Sequence, residues 1–152
     1  MFEVAIVEVP ATSPEATRLM AELDVEIGRR YPGVEPHGLH AHDFDDPRTV
    51  FLVARIDGEA VACGAIRGLE PGVAEVKRMY VRDAARGRGV GRQILAALES
   101  KAREAGVSLL RLETGTAQPE AIALYTSAGF AAIETFGEYT GNDFSRCFEK
   151  KL

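Results

Sequence analysis

The sequence predicts a mixed α/β domain organised around one sheet, and three observations lead to that prediction. Short apolar runs with strand periodicity alternate with amphipathic helical segments along the 152 residues. The pair Asp57-Gly58 separates two of the apolar runs, which is a strong hairpin signal. A helical segment lies between the fourth and fifth strand patterns, and such a crossover makes that pair of strands parallel. The sheet therefore mixes antiparallel neighbours with one parallel pair.

The first part of the chain contains a strand, a helix and an irregular segment. We expect a strand over residues 2–9 and a helix that begins at Pro14, directly after the hydroxyl groups of residues 12–13. An apolar stripe predicts that this helix continues to about Arg30. Residues 31–48 show no clear period and are rich in Pro, Gly, His and Asp, so they are expected to form a loop.

The predicted order continues with a meander of three strands, a helix, a strand, a second helix and two strands. Six apolar runs predict these strands, of which the first three form a meander and the last two an antiparallel pair: residues 50–56, 60–66, 74–81, 109–114, 131–135 and 146–150. A helix is predicted from Gly89 to about residue 105, because Gly106 is a C-terminal cap signal. A second helix begins at Pro119 and ends near residue 127. No linker or repeat interrupts the chain, so residues 1–152 are predicted to be one domain.

Composition excludes several classes of protein. Apolar residues make up 46% of the chain and charged residues 27%, which is ordinary for a globular domain. The net charge of −5 argues against a nucleic-acid partner. Cys63 and Cys147 lie in apolar strands, which favours buried free thiols in a reducing compartment. No signal peptide and no long apolar span is present, so we expect no membrane partner and a cytoplasmic location.

The segment Arg86-Gly-Arg-Gly-Val-Gly-Arg92 is the most informative part of the sequence. Glycines on alternate positions let backbone amides converge at the start of a helix, where an anion is stabilised. Three interpretations are open for this segment on its own. A dinucleotide site would use Glu113 as the acid that follows the glycines, a P-loop would need a Gly-Lys-Ser/Thr triplet, and a plain glycine-rich turn would bind nothing.

The residues around this segment resemble the GNAT family of N-acetyltransferases. Residues 75–81, Glu-Val-Lys-Arg-Met-Tyr-Val, precede Arg86-x-x-Gly89-x-Gly91, and this order resembles the motif with which the family grips the pyrophosphate of acetyl-CoA. Downstream, the strand at 109–114 leads to Pro-Glu-Ala-Ile-Ala-Leu-Tyr at 119–125 and then to Ala-Gly-Phe, which resembles the family's second cofactor motif.

The resemblance implies both an architecture and a donor site. The family fold is a mostly antiparallel sheet of six to seven strands with helices on both faces, in which the fourth and fifth strands splay apart to admit the pantetheine arm. The implied donor-binding residues belong to the two motifs: Met79, Tyr80, Val81, Arg86, Gly87, Arg88, Gly89, Val90, Gly91, Arg92, Gln118 and Tyr125. Many members have Asn where this chain has Gln118, so that one contact departs from the family pattern.

Acetyl transfer to an amine needs a base, an oxyanion donor and an acid for the thiolate. The resemblance suggests Glu75 as the base, with residues 75, 77, 79 and 81 on one face of the strand. A structural ion pair of Glu75 with Lys77, Arg78 or Arg111 is the alternative. The resemblance also implies that Tyr125 protonates the leaving thiolate and that the amide of residue 80 or 81 stabilises the oxyanion. A tyrosine that only packs in the core is the alternative for Tyr125.

The sequence says less about which residues bind the acceptor amine. The region after the first helix often lines the acceptor pocket in this family, which suggests Tyr31, His37 and His40, and Tyr139 is a further candidate. The cluster of three histidines and nearby aspartates matches no standard set of metal ligands, so no metal is expected. A solvated acidic loop is the simplest alternative for this cluster.

These observations lead to one main hypothesis and two alternatives. The main hypothesis is an acetyl-CoA-dependent N-acetyltransferase that acts on a primary amine of a small, amino-acid-like acceptor. The alternatives are an acyl-CoA-binding sensor without catalysis, and an acetyltransferase for protein lysines or N-termini. No sequence feature marks an oligomer interface, so the sequence neither predicts nor excludes a homodimer.

Overall fold

The computed structural model describes residues 3–35 and 38–152. These residues build a seven-stranded sheet in the order β1-β2-β3-β4-β5-β7-β6. The strands have these bounds: β1 Val4–Glu8, β2 Val50–Ile56, β3 Glu59–Glu70, β4 Val73–Val81, β5 Leu109–Gly115, β6 Ala131–Ile133 and β7 Ser145–Lys151. Only β4 and β5 pair in parallel, and all other neighbours are antiparallel. The predicted fold class is therefore confirmed.

Three α-helices connect the strands, and their ends follow local signals. They are α1 Pro14–Arg30, α2 Val90–Glu104 and α3 Pro119–Ser127. The Ser13 side chain caps α1 by accepting a hydrogen bond from the amide of Ala16 at 3.3 Å. Gly106 follows α2 in the left-handed conformation, with φ of 81°. These signals explain why the helices lie where the sequence predicts them.

The helices cover both faces of the sheet, as expected. On one face, Ile94 and Leu98 of α2 lie in one buried cluster with Leu52 of β2 and Leu110 and Leu112 of β5. On the other face, α1 buries its apolar stripe in a second cluster, which contains Ala16, Leu19, Phe51, Val53 and Cys63. Each fully buried aliphatic side chain contributes about 1.5–3 kcal/mol, so both clusters hold the sheet between the helices.

The parallel pair separates along its length, which opens a wedge in the sheet. The last paired residues are Val76 of β4 and Leu112 of β5. Beyond them β4 stays with β3 up to its end at Val81, whereas β5 stays with β7 up to Gly115. The splay implied by the sequence resemblance is therefore present, and it leaves one backbone edge of β4 facing the gap.

A β-bulge in β4 overturns the expectation that residues 75, 77, 79 and 81 share one face. The register against β3 shifts by one residue between Lys77 and Tyr80, and Arg78 has a positive φ of 57°. The extra residue reverses the alternation of side chains. Met79 therefore packs against the α2 cluster, while Tyr80 packs against the α1 cluster.

A few other segments differ from the sequence prediction. β3 extends to Glu70, well beyond the expected end at residue 66, while β6 is shorter than expected. Within the irregular region, Ala41–Asp45 forms a 3-10 helix whose Asp43 is buried, so the segment is not simply a solvated acidic loop. Cys63 and Cys147 are buried free thiols, as predicted. In the described part of the chain, no helix has the length and apolarity needed to cross a membrane.

Candidate active site

The glycine-rich segment forms an open loop at the start of α2. Gly87 and Gly89 both have φ of 77°, a conformation that residues with a Cβ rarely adopt, and Gly89 is the N-cap residue of the helix. A Cβ added to either residue would meet no protein atom within 4 Å. The amides at the first turn of α2 therefore face open space at the positive end of the helix dipole. This arrangement fits a phosphate-bearing ligand.

The arginines of this segment are held by neighbouring side chains. The guanidinium of Arg86 donates to the carbonyl of Val81 at 2.8 Å and to Glu26 at 2.7 Å, and it also pairs with Asp83. Arg92 donates to the hydroxyl of Ser127 at 2.7 Å. The charge of Arg86 is thus partly balanced by acidic neighbours, whereas the partner of Arg92 is a neutral hydroxyl, so both the amides of the helix start and the charge of Arg92 favour an anion here.

Two neighbouring cavities lie at this loop and in the wedge between β4 and β5, and we call them together the groove because their linings share residues. We name its two halves after the roles that the sequence predicts for their residues. The first, the donor half, has a volume of about 290 Å³ and is lined by the glycine loop, α3 and the end of β4. The second, the acceptor half, has a volume of about 130 Å³ and extends towards residues 137–145. Both halves share the same few residues at their junction: Leu23, Met79, Gln118, Ala121 and Tyr125.

Tyr125 lies at that junction. Its side chain is buried, and its ring makes an edge contact with Phe130 at a centroid distance of 5.9 Å. Burial, and then the negative charge of Glu113, raises the pKa of Tyr125 above its usual value. The phenol therefore stays protonated at neutral pH, and Tyr125 lines both halves of the groove.

Glu75 is enclosed in a network of buried polar groups. Arg67 donates through Nε to Oε1 of Glu75 at 2.9 Å, and the hydroxyl of Tyr139 donates to Oε2 at 2.5 Å. Lys77 Nζ donates to the same hydroxyl at 3.1 Å and lies 3.9 Å from Oε2. Burial, and then the charge of Glu75, raises the pKa of Tyr139. Tyr139 and Lys77 line the acceptor half, whereas Glu75 does not. Glu75 is therefore connected to this cavity through its contacts with those two side chains.

Two carboxylates that the sequence did not indicate for the acceptor line this half: the exposed Glu35 and, deeper in the wedge, Glu113. Glu113 lies at the end of β5, where that strand has left β4, and it accepts a hydrogen bond from Ser145 at 2.6 Å. Its charge also acts on Tyr31, Tyr125 and Tyr139. The sequence singled out Glu113 only under the dinucleotide interpretation, because nothing local indicates that this strand end faces a cavity.

Tyr31 connects the end of α1 to the segment between β5 and α3. Its hydroxyl accepts a hydrogen bond from the amide of Ala117 at 2.9 Å and donates to Oε1 of Gln118 at 3.3 Å. Arg30 donates to the carbonyl of Ala117 at 2.9 Å. A Cβ added to Gly115 would come within 1.8 Å of the Tyr31 hydroxyl, so only glycine allows this close approach. We call Arg30, Tyr31 and residues 115–118 the α1 brace.

Gly115→Ala is expected to break the α1 brace. The methyl group would displace the Tyr31 ring, and overpacking of this kind costs about 1–3 kcal/mol of unfolding free energy. Chemical denaturation measures that loss. Gly38→Ala is the matched control, because a Cβ at Gly38 meets nothing within 4 Å. Equal stability of the two variants would contradict the close approach at Gly115.

A sequence profile of the acetyltransferase (GNAT) family matches residues 17–130. The chain belongs to the GNAT family. An IAA acetyltransferase of Azospirillum brasilense is 42% identical over 153 residues, which cover all of both chains. The N-acetyltransferase YjgM of Escherichia coli is 28% identical over 138 residues, which are 88% of this chain and 83% of the relative. The chain is therefore an acyltransferase, as the sequence predicted.

The fold comparison agrees with the GNAT assignment. The crystal structure of a proposed acyl-CoA N-acyltransferase from Klebsiella pneumoniae superimposes with a TM-score of 0.83 at 36% identity. The superposition covers 100% of this chain and 98% of that chain. The GNAT family uses an acyl-CoA as co-substrate, and the open glycine loop together with the splayed strands fits such a molecule.

The groove of this GNAT chain contains most of the residues that the sequence analysis singled out. All predicted donor residues except Arg88 line the donor half. Tyr31 and Tyr139 line the acceptor half. The amide of His40 donates to Asp43 at 2.8 Å and its ring stacks on His42, and neither cavity is lined by it. His37 lies outside the described residues.

Proposed function

We propose that the chain transfers the acetyl group of acetyl-CoA directly to the primary amine of a small, amino-acid-like acceptor. Donor and acceptor would be bound together, and no metal would take part. The observation that carries this proposal is the single groove whose two halves meet at Tyr125. A thioester in the donor half and an amine in the acceptor half would meet there. A cytoplasmic location stays a prediction, and a homodimer stays one possible assembly.

The donor half offers separate features for the parts of acetyl-CoA. The amides of residues 87–91 would hold the pyrophosphate at the start of α2. The free edge of β4 at Met79 and Val81 would pair with the pantetheine amides, as an added strand does. The amide of Tyr80 or Val81 would donate to the oxyanion that forms when the amine attacks the thioester. Gln118 would contribute from the β5–α3 segment.

Two further roles, proton donor and proton acceptor, fall to the buried side chains of Tyr125 and Glu75. Tyr125 would give its proton to the departing thiolate, because its raised pKa keeps it protonated until charge develops on sulfur. Glu75 would accept the proton of the ammonium through the Tyr139 hydroxyl, which links it to the acceptor half. In that step the N–H bond breaks, Tyr139 gains one proton, and its own proton moves to Glu75. Glu113 would attract the ammonium.

Glu75→Gln is expected to lower kcat/KM most strongly at low pH. There the acceptor is mainly ammonium, so attack depends on removal of a proton by the enzyme. At high pH free amine is abundant and the loss becomes smaller. Steady-state rates across the pH range measure this effect.

Glu99→Gln is the matched control, because Glu99 is also buried and pairs with Lys150 outside the groove. Both variants lose an ion pair, so unfolding free energies show whether they are comparably destabilised. A rate loss of Glu75→Gln that stays constant across pH would assign Glu75 a structural role.

A product-forming assay tests the proposal as a whole. The protein is incubated with acetyl-CoA and a panel of small amines and lysine peptides, and both free thiol and acetylated product are measured. Amine-dependent thiol release with a matching acetylated amine is expected. Binding of acetyl-CoA without any product would leave only a sensor.

A further inference from the structure

We infer that the acceptor is a small amine with an apolar body of about the size of an aromatic ring. This inference rests on the proposed function, since it concerns the acceptor half of the same groove. Three observations carry it: exposed apolar side chains at the mouth, a wall formed by the α1 brace and a polar floor.

Two large apolar side chains lie at the solvent-exposed mouth of the acceptor half, which the exposed Glu35 also lines. In the described part of the chain, the large apolar side chains with high exposure are Val25, Val34, Phe44 and Phe144. Val34 and Phe144 are 39% and 56% exposed, and both line the acceptor half. Scattered exposed apolar residues carry no meaning, but a pair at the entrance of a cavity is typical of a ligand-binding surface.

Phe144 is fixed in this place by its backbone. Its carbonyl accepts a hydrogen bond from the amide of Thr116 at 3.0 Å, and its amide donates to the side chain of Asn142 at 2.9 Å. Its ring meets Tyr31 edge to face at a centroid distance of 6.3 Å. An aromatic surface held at the mouth gains from contact with an apolar group of the ligand, because that contact removes both from water.

The α1 brace forms one wall of the acceptor half, which Tyr31, Gly115 and Gln118 line. Arg30 and Tyr31 are bonded to Ala117, and the Tyr31 ring also contacts Phe144. The end of α1 therefore touches both the β5–α3 segment and the segment before β7. This wall limits the room at the mouth for the chain on both sides of an internal lysine, whereas a small molecule needs only the mouth.

The floor of the pocket, by which we mean its buried and half-buried lining, is polar, and the pocket borders the donor half at Tyr125. Lys77, Tyr139 and Glu113 line it, and Tyr139 is hydrogen-bonded to Lys77 and Glu75. An amine at this floor would be next to the reacting thioester, while an apolar body would extend towards Val34 and Phe144. This polarity gradient suits a phenethylamine-like molecule or an amino acid with a large apolar side chain.

Matched exposed residues provide the test. Phe144→Ser is compared with Phe44→Ser, and Val34→Ser with Val25→Ser, since Phe44 and Val25 are also exposed and line neither half of the groove. Acetylation of phenethylamine, ethanolamine and a lysine peptide is measured for each protein. We expect wild type to favour phenethylamine and Phe144→Ser to raise its KM roughly tenfold, the effect of about 55 Å² of lost apolar contact.

The expected pattern also includes unchanged KM for phenethylamine in Phe44→Ser and Val25→Ser. Preference for ethanolamine or for the peptide, or equal effects of the two Phe variants, would overturn the inference while leaving the acetyltransferase function intact. Acetyl-CoA binding in calorimetry without acetylation of any amine would instead overturn the proposed function. The two failures are therefore distinguishable.

Discussion

Gly89→Val is expected to abolish the stabilisation of the protein by acetyl-CoA. For the wild type, ligand at about a hundred times its dissociation constant adds roughly 2.7 kcal/mol to the unfolding free energy. Gly89 has φ of 77°, and a Cβ there would point into open space at the start of α2. Valine would therefore strain the backbone and place a branched side chain where the phosphates would approach the amides. Thermal unfolding with and without the ligand measures the loss.

Gly106→Val separates loss of binding from loss of fold. Gly106 has φ of 81°, a Cβ there also meets nothing within 4 Å, and it follows the opposite end of α2. The same left-handed strain of about 1–2 kcal/mol is expected in both variants. Gly106→Val should still gain stability from acetyl-CoA. If Gly89→Val gains as much as Gly106→Val, the amides of this loop do not bind the pyrophosphate.

Tyr125→Phe is expected to lower kcat by about 10²–10⁴-fold, the contribution typical of a general acid. The ring and its contact with Phe130 remain, so the variant should fold and bind acetyl-CoA nearly as well as wild type. An interaction made mainly in the transition state lowers kcat and kcat/KM together. Single-turnover rates measure the chemical step directly.

Leaving-group ability provides an independent readout of this role. An acetyl donor whose thiol is more acidic needs less help from a proton donor, so Tyr125→Phe should harm it less. Thr126→Val removes an exposed hydroxyl from the next residue of α3 and serves as the control. Equal chemical rates of Tyr125→Phe and wild type on acetyl-CoA would reduce Tyr125 to a core residue.

Much of the fold follows from local patterns in the sequence. Apolar periodicity located the helices within a residue or two, and most strands nearly as well, because it reflects which side of each element is buried. The cap at Ser13 and the glycine after α2 set helix ends through contacts within a few residues. The donor loop could be predicted for the same reason, since the left-handed glycines and the helix start lie next to each other in the chain.

The acceptor half could not be predicted in the same way. Glu75 meets Arg67 on the neighbouring strand and Tyr139 more than sixty residues away, so its enclosure depends on strand pairing and on the course of the segment before β7. The bulge at Arg78 exists only relative to β3, and it reverses the faces of the residues that follow. No local period contains that information.

The sequence by itself determined the family, the order of the elements and the donor loop, because each depends on residues that are neighbours along the chain. Only the tertiary structure decided which carboxylates lie at the acceptor half: Glu35 and Glu113 line it, whereas Glu75 is linked to it through Tyr139. It also brought Tyr31 against Gly115 and Phe144 to the mouth of the pocket. These contacts join segments that are far apart in sequence, and their partners are chosen by packing across the split sheet.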